Sequence, residues 1–403
     1  MSMPKLRFAS FESDSWNNYR LGNICSFEQG IQVDVELQSF ESDENKVRFL
    51  RIENYTQNSF DFRYIPKDIA GKKSITKDEL AVVRYGATAG YIGRGFDGVL
   101  ANNLFKLIPD NETLDLSFFY HIMKSDNTFR FFQSEMSGGA MPALSFGIVK
   151  ALKLSIPSSK VEQNKIAGFL SSVDKKISLL IKNHALLAQY KKGVMQKLFK
   201  QEIRFKDDNG NTFPDWEIKP LSKLAEKNSL KNKDNAVNAV LTNSAKSGIV
   251  NQGDYFNKDI ANQGNLTGYT VVEKNDFIYN PRISELAPVG PIKRNHIGQG
   301  VMSPLYTTFR FKDENVLDYL EQYFNTTMWH RYMNSIANFG ARHDRMNITS
   351  ADFYALPIPL PCEDEREKIV SFIKALETKV NAVNEQIELT KTFKKGLLQQ
   401  MFV

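Results

Sequence analysis

The segment Gly340-Ala341-Arg342-His343-Asp344-Arg345 crowds three hydrogen-bond donors, Arg342, His343 and Arg345, into one loop. Guanidinium groups bond bidentately to phosphates or to guanine edges, so this cluster suits a polyanion that carries bases. Its counterpart, Gly138-Gly139-Ala140-Met141-Pro142, lacks those donors. A second pair of loops, Gly90-Tyr91-Ile92-Gly93-Arg94 and Gly290-Pro291-Ile292-Lys293-Arg294, lies 200 residues apart, each between predicted strands. Glycine allows close backbone approach there, and Arg94, Lys293 and Arg294 could reach phosphate or guanine. The plainer reading is a hairpin turn with solvated cations. Arg84-Tyr85 and Arg282 lie just upstream, and Asn102-Asn103 has amide geometry that pairs with adenine or, equally, shapes a turn.

Catalytic chemistry leaves no comparable trace. Gly71-Lys72-Lys73-Ser74 has Pro66 where a phosphate-binding loop needs its first glycine, and no G-x-G-x-x-G follows a strand. Asn280-Pro281-Arg282 only approaches the Asn-Pro-Pro-aromatic motif of amino-methyltransferases. Pro214-Asp215-Trp216-Glu217-Ile218-Lys219 imitates a nuclease signature, but its acids crowd one short linker. The five histidines are scattered, and Cys25 and Cys362 form neither a disulfide framework nor a zinc site. No catalytic, metal or cofactor-binding residue is expected in this chain.

The elements that must position the donor loops occur twice. Leu6-Arg7-Phe8, Trp16 and Leu21 return as Ile203-Arg204-Phe205, Trp216 and Leu221. Residues 190–199 (YKKGVMQKLF) and 393–402 (FKKGLLQQMF) are 203 apart and identical at five of ten positions. Both belong to long heptad-patterned segments. Ile166, Val173, Leu180, Leu187 and Val194 recur every seven residues, as do Leu170, Ile177, His184, Lys191 and Leu198 four positions later. The second half repeats both series as Ile369, Leu376, Val383, Thr390, Leu397 and Ile373, Val380, Ile387, Lys394, Met401. Five heptads in one register predict a coiled coil, with Lys191 and Lys394 as polar seam residues that fix pairing. Some 38 residues would make a rod of ~57 Å.

At 403 residues, 42% hydrophobic and 24% charged, the chain suits two or three folded domains. Its net charge of +6 is compatible with a nucleic-acid partner without establishing one. Short strands punctuated by Gly and Pro include Ala81–Tyr85, 103–108, 276–279 and 306–311, and the aromatic-rich stretches 115–133 and 316–337 read as helical. The expected fold is α/β (α+β), two pseudo-repeated domains separated by a long antiparallel two-helix coiled coil. Its parts are domain 1 (1–157), helix 1 (158–200), a linker (201–219), domain 2 (220–359) and helix 2 (360–403). No run approaches 18 apolar residues and 1–20 lacks a signal-peptide core, so a cytoplasmic protein is expected.

Duplication, paired long helices and missing catalytic motifs resemble the specificity subunits of type I restriction-modification systems. The resemblance is carried by the repeated openings, by Leu356-Pro357-Ile358-Pro359-Leu360-Pro361 followed by Glu365-Arg366-Glu367-Lys368-Ile369, and by their first copy. That copy is Leu154-Ser155-Ile156-Pro157 and Glu162-Gln163-Asn164-Lys165-Ile166. The resemblance implies a non-catalytic subunit that reads a bipartite, asymmetric site in double-stranded DNA and docks two methyltransferase subunits, with restriction subunits as further partners. S-adenosylmethionine, ATP and magnesium would belong to those partners. The diverged loops would carry the DNA contacts: Arg84, Tyr85, Arg94, Asn102, Asn103, Arg282, Lys293, Arg294, Arg342, His343 and Arg345. Two other readings stay open, a DNA-reading subunit of a related, type II-like restriction class and a coiled-coil scaffold for proteins.

Overall fold

The run Leu80-Ala81-Val82-Val83 is apolar and buried throughout, which requires a sheet covered on both faces. The computed structural model describes residues 3–57, 59–136, 142–253, 266–338 and 344–402 and supplies that cover. The chain forms two units, Met1–Lys182 with Asn384–Val403, and Asn183–Val383.

In the first unit the strands are β1 (Trp16–Arg20), β2 (Cys25–Gln29), β3 (Lys46–Leu50), β4 (Arg63–Pro66), β5 (Leu80–Val83), β6 (Ile92–Gly93), β7 (Val99–Leu100), β8 (Leu104–Pro109) and β9 (Lys153–Pro157). One antiparallel sheet has the order β2-β8-β5-β6; a second has the order β4-β3-β7, with β3 and β7 parallel. β5 alternates between two cores. Leu80 and Val82 join Phe105, Leu107 and the helical residues Phe118, Phe119 and Phe132, whereas Ala81 and Val83 join Leu50, Leu100 and Leu104.

The second unit repeats this plan with β10 (Glu217–Pro220), β11 (Ala225–Lys227), β12 (Val240–Ser244), β13 (Gly248–Asn251), β14 (Thr270–Val272), β15 (Phe277–Tyr279), β16 (Ile292–Arg294), β17 (Gly300–Met302), β18 (Thr307–Phe311) and β19 (Pro357–Leu360). The orders are β11-β18-β15-β16 and β13-β12-β17-β14, with β12 and β17 parallel as β3 and β7 are. The aromatic-rich stretches read as helical each hold two helices. Residues 115–133 contain Leu116–Met123 and the start of Asp126–Glu135, because Ser125 caps the second helix through Thr128 N–H at 3.3 Å. Residues 316–337 contain Leu317–Phe324 and His330–Ile336.

Two long helices, Lys160–Phe199 and Glu363–Met401, carry the heptad pattern, and every seam position named above is buried or half-buried. Within the first unit Ile166, Leu170 and Val173 share a core with Leu397, Met401 and Phe402, and Asp174 meets Lys394 at 2.5 Å. Within the second unit Leu198 and Phe199 share a core with Ile369 and Ile373, and Lys191 meets Glu377 at 3.0 Å. In both, one helix ascends as the other descends: the pairing is antiparallel. Each seam lysine thus pairs with an acid on the opposite helix. Each helix also ends by burying a phenylalanine, Phe199 at 5.4 Å from Tyr319 and Phe402 at 5.6 Å from Phe118.

A buried ion pair ties the opening of each repeat to its long helix. Glu162 is fully buried, accepts two bonds of 2.7 Å from Arg7, and takes a third from Trp16 Nε1 at 3.3 Å. The carboxylate raises the Arg7 guanidinium above its ordinary pKa, mainly through that hydrogen bonding. The second unit repeats the arrangement: Glu365 accepts from Arg204 at 3.0 and 2.8 Å and from Trp216 at 2.8 Å. Beside it β1 pairs with β9, and β10 with β19.

His121 gives the first unit a pH dependence. It is buried on the helix Leu116–Met123, with Nε2 3.1 Å from Ser171 Oγ, and burial pushes its pKa down from 6.5 to about 4. The unfolded chain binds this proton near 6.5 and the folded one does not, so stability is complete above 6.5 and declines as pH falls towards 4. The loss should total on the order of 3 kcal/mol. Gln322 occupies the corresponding position of the second unit. His121→Gln should therefore flatten the urea-midpoint profile between pH 7 and 4.5; an unchanged slope would assign the effect elsewhere.

Candidate nucleic-acid interface

The parallel strands β3 and β7 end together, and β5 ends beside the start of β8, so their carboxyl ends deliver Arg51, Asn102, Asn103 and Arg84 to one edge of the first unit. Gly30 makes this possible. A Cβ there would lie 2.1 Å from the Ala101 carbonyl, so only glycine lets Ile31 bridge to Ala101. The adjacent Gln29 is the hub. Its Oε1 accepts from Arg84 Nη1 at 2.6 Å, while its Nε2 donates to the carbonyls of Asn102 and, at 3.1 Å, Leu104. Asn102 Nδ2 donates to Gln32 Oε1 at 2.9 Å, and the Asn103 carbonyl accepts from Arg84 N–H at 2.9 Å. Arg84 lies 5.0 Å from the ring of exposed Tyr85 and 4.9 Å from that of Phe146. Among the described residues, Asn103 Oδ1 and Arg84 Nε are buried without a partner. Arg84, Tyr85, Asn102 and Asn103 thus form one cluster.

In the second unit Arg282 and Arg345 are β-bridge partners. Ile283 N–H donates to Asp344 O, and Met346 N–H to Pro281 O, each at 3.0 Å. The first unit has the same bridge with other side chains, Tyr85 to Ala143. Arg282 Nε lies 3.4 Å from Asp344 Oδ2, while no carboxylate among the described residues pairs with Arg345. Two adjoining hollows of about 300 and 370 Å³ share Pro281, Leu305 and Tyr306 and are lined by Lys227, Lys231, Arg282 and Arg345 without any Asp or Glu. Their floor is amide. Buried Asn243 donates to the carbonyls of Ile278 and Pro291 at 2.7 and 3.1 Å, and its Oδ1 has no partner among the described residues. Asn280 donates to Asn243 O at 2.9 Å and accepts Arg282 N–H at 3.0 Å, so Asn280-Pro281-Arg282 shapes the rim. Gly290 is needed here, since a Cβ would meet Asn280 O at 2.1 Å.

Arg94, Lys293 and Arg294 are not brought to these clusters. Arg94 lies 3.7 Å over the ring of Tyr120. Arg294 donates to Asn275 Oδ1 at 3.0 and 2.8 Å and to Asp318 at 2.6 Å, with Glu321 at 3.4 Å, and its side chain is 11% exposed. Lys293 donates to Asn325 at 2.7 Å, and burial lowers its pKa. Lys293 and Arg294 thus donate to internal partners and Arg94 stacks on a helix residue, so all three pack edge strands against helices. Arg342 and His343 lie outside the described residues. In the nuclease-like stretch, Asp215 faces Arg204 at 3.6 Å and Glu217 pairs with Lys219 at 2.6 Å, which leaves the acids apart.

Residues 13–188 match the family model described as the type I restriction modification DNA specificity domain. The chain is similar to the type I restriction enzyme MjaVIII specificity subunit of Methanocaldococcus jannaschii, at 26% identity over 223 residues, 53% of this chain and 50% of that protein. It thus spans about half the length of that relative. The putative MjaX specificity subunit of the same organism is 24% identical over 319 residues, 73% of this chain and 69% of that one. Among solved structures, the S subunit of a type I restriction-modification system from M. genitalium shares the fold across 100% of this chain and 99% of its own. Its TM-score is 0.55 at 14% identity. A chain from a study of complex assembly and conformational transition of the type I system matches over 96% and 97%, with a TM-score of 0.56 at 16% identity. The first repeat thus matches the type I restriction modification DNA specificity domain, and the second is built on the same strands, bridge and buried ion pair.

Proposed function

We propose that each unit reads one half of a bipartite, asymmetric DNA site and that the chain docks two copies of a methyltransferase subunit. The carrying observation is the conserved β-bridge with exchanged side chains: Tyr85 and Ala143 in one unit, Arg282 and Arg345 in the other. A shared framework with different donors is what two different half-sites require. The groove beside Arg345 presents cations and amides without carboxylates, a suitable match for phosphates and base edges. On this reading Arg84, Tyr85, Asn102 and Asn103 serve the first half-site, and Arg282 and Arg345, with Arg342 and His343 of the same loop, serve the second.

Docking is supported by matched apolar residues outside the seams. Leu186 and Tyr190 are 55% and 54% exposed on the first long helix; Leu389 and Phe393, 203 residues later, are 62% and 55% exposed on the second. Four-residue spacing puts each pair on one helix face, and equivalent faces suit two copies of one partner. S-adenosylmethionine would be held by the methyltransferases, and ATP and magnesium by restriction subunits where these join. The chain itself would supply recognition and no catalytic group. No helix among the described residues is long and apolar enough to cross a membrane, and we place the complex in the cytoplasm with its DNA.

Arg345→Ala should weaken binding to the cognate duplex by ~1–3 kcal/mol, with relaxed preference confined to one half-site. Arg84→Ala should relax the other half. Titration against duplexes varied in either half checks this; equal loss on every sequence would make these residues phosphate contacts.

A further inference from the structure

We propose that Phe60 is a wedge that enters the base stack of the half-site read by the first unit. The inference rests on the DNA reading above and adds a mode of recognition to it. Phe60 is 75% exposed, although its ring is braced from behind. It meets Phe62 at 6.2 Å and 87° and Phe96 at 5.9 Å and 81°; Phe62 and Phe96 are 5.3 Å apart, and buried Tyr55 supports Phe96 at 5.6 Å. That platform is itself closely packed, since a Cβ on Gly93 would lie 2.4 Å from the Tyr55 ring. An aromatic ring held outward on packed aromatics has the build of an insertion side chain, not of a core residue that failed to bury.

Its position follows from strand register. Phe49 pairs with Arg63 across β3 and β4, and Leu50 with Leu100 across β3 and β7. Residues 60–62 therefore leave the sheet at the same end as Arg51 and Asn102, alongside the Gln29, Arg84 and Asn103 cluster. Exposed Arg48 stacks on Phe62 at 4.7 Å, which places a cation beside the wedge where phosphates would pass. Arg51 donates to Asp61 O at 3.3 Å and pairs with Glu53 at 2.9 Å, so it stiffens the segment and contributes little free charge. Apolar wedges that unstack a step bend the duplex, so the occupant is double-stranded DNA and the signature is local unstacking with a bend.

The test uses the full chain with its methyltransferase partner and a duplex carrying the sequence that this complex methylates, with 2-aminopurine placed in turn at each position of both half-sites. The wild-type complex should raise fluorescence at least threefold at one step of one half-site. Phe60→Ser should abolish that rise and the accompanying bend measured by end-to-end energy transfer. Phe60→Leu should keep most of both, because leucine also inserts. A silent probe in every wild-type duplex, or a response that survives Phe60→Ser, overturns the wedge. If Arg84→Ala and Arg345→Ala nevertheless act as stated, half-site reading stands without it. Loss of the methyltransferase from the Phe60→Ser complex with an unchanged fluorescence response would also overturn it and mark the patch as a protein contact. Failure of the complex to prefer any sequence removes the reading and the wedge together.

Discussion

Glu162→Ala should destabilise the first unit by about 3–5 kcal/mol, the range for a buried charge left without its partner. The substitution leaves Arg7, whose side chain is 8% exposed, with the Glu12 carbonyl at 3.3 Å and no carboxylate partner, and removes the acceptor of Trp16 Nε1. Glu365→Ala should cost less. Arg204 is 23% exposed and keeps the Phe213 and Pro214 carbonyls at 3.2 and 2.6 Å as well as Asp215. Replacing both partners by leucine, Arg7→Leu with Glu162→Leu, should recover most of the loss, because two desolvated charges disappear together. Urea unfolding of the purified chain, followed by tryptophan fluorescence and circular dichroism, separates these cases. Equal, small effects for both glutamates would mean that water already reaches the Arg7 pair.

On the docking proposed above, Tyr190→Ala should remove one of two methyltransferase subunits and leave the other. Truncating an aromatic anchor typically costs ~2 kcal/mol or more, some 30-fold in affinity. Phe393→Ala should remove the other copy, and the double substitution both. Native mass spectrometry of the co-expressed complex at a fixed concentration reads the stoichiometry directly. Because both rings stand outside the seam, the helices should melt unchanged. Loss of both partners from a single change would contradict equivalent docking faces, and so would full occupancy of the double variant.

The duplication and the helix seams were legible because periodicity survives in one dimension: the spacing of Ile166, Leu170 and Val173 states which helix face is buried before any partner is known. What a seam packs against is not written locally. Phe199 and Phe402 close cores built from distant helices, and nothing in their neighbouring residues announces it. Glu162 looked like part of a motif at a helix start, yet the recurrence of Arg7, Trp16 and Glu162 as Arg204, Trp216 and Glu365 was a usable sign of a buried pair. The clustering of the candidate residues was half legible. Arg84, Tyr85, Asn102 and Asn103 do gather, but their hub Gln29 lies more than fifty residues from Arg84 and carried no signal. Arg94 and Arg294 stand apart from the clusters for a related reason. Their loops match in spacing, whereas Tyr120 and Asp318, which hold them, come from helices further along the chain. The helix break at Ser125 was visible as a capping residue inside an aromatic-rich stretch.

The most direct test is the methylation pattern written on a genome by this chain co-expressed with its methyltransferase, compared for wild type, Arg84→Ala and Arg345→Ala. Independent reading by two units predicts a split, non-palindromic motif in which one substitution blurs one half and the other substitution blurs the remaining half. A continuous motif, or both substitutions degrading the same half, would contradict it.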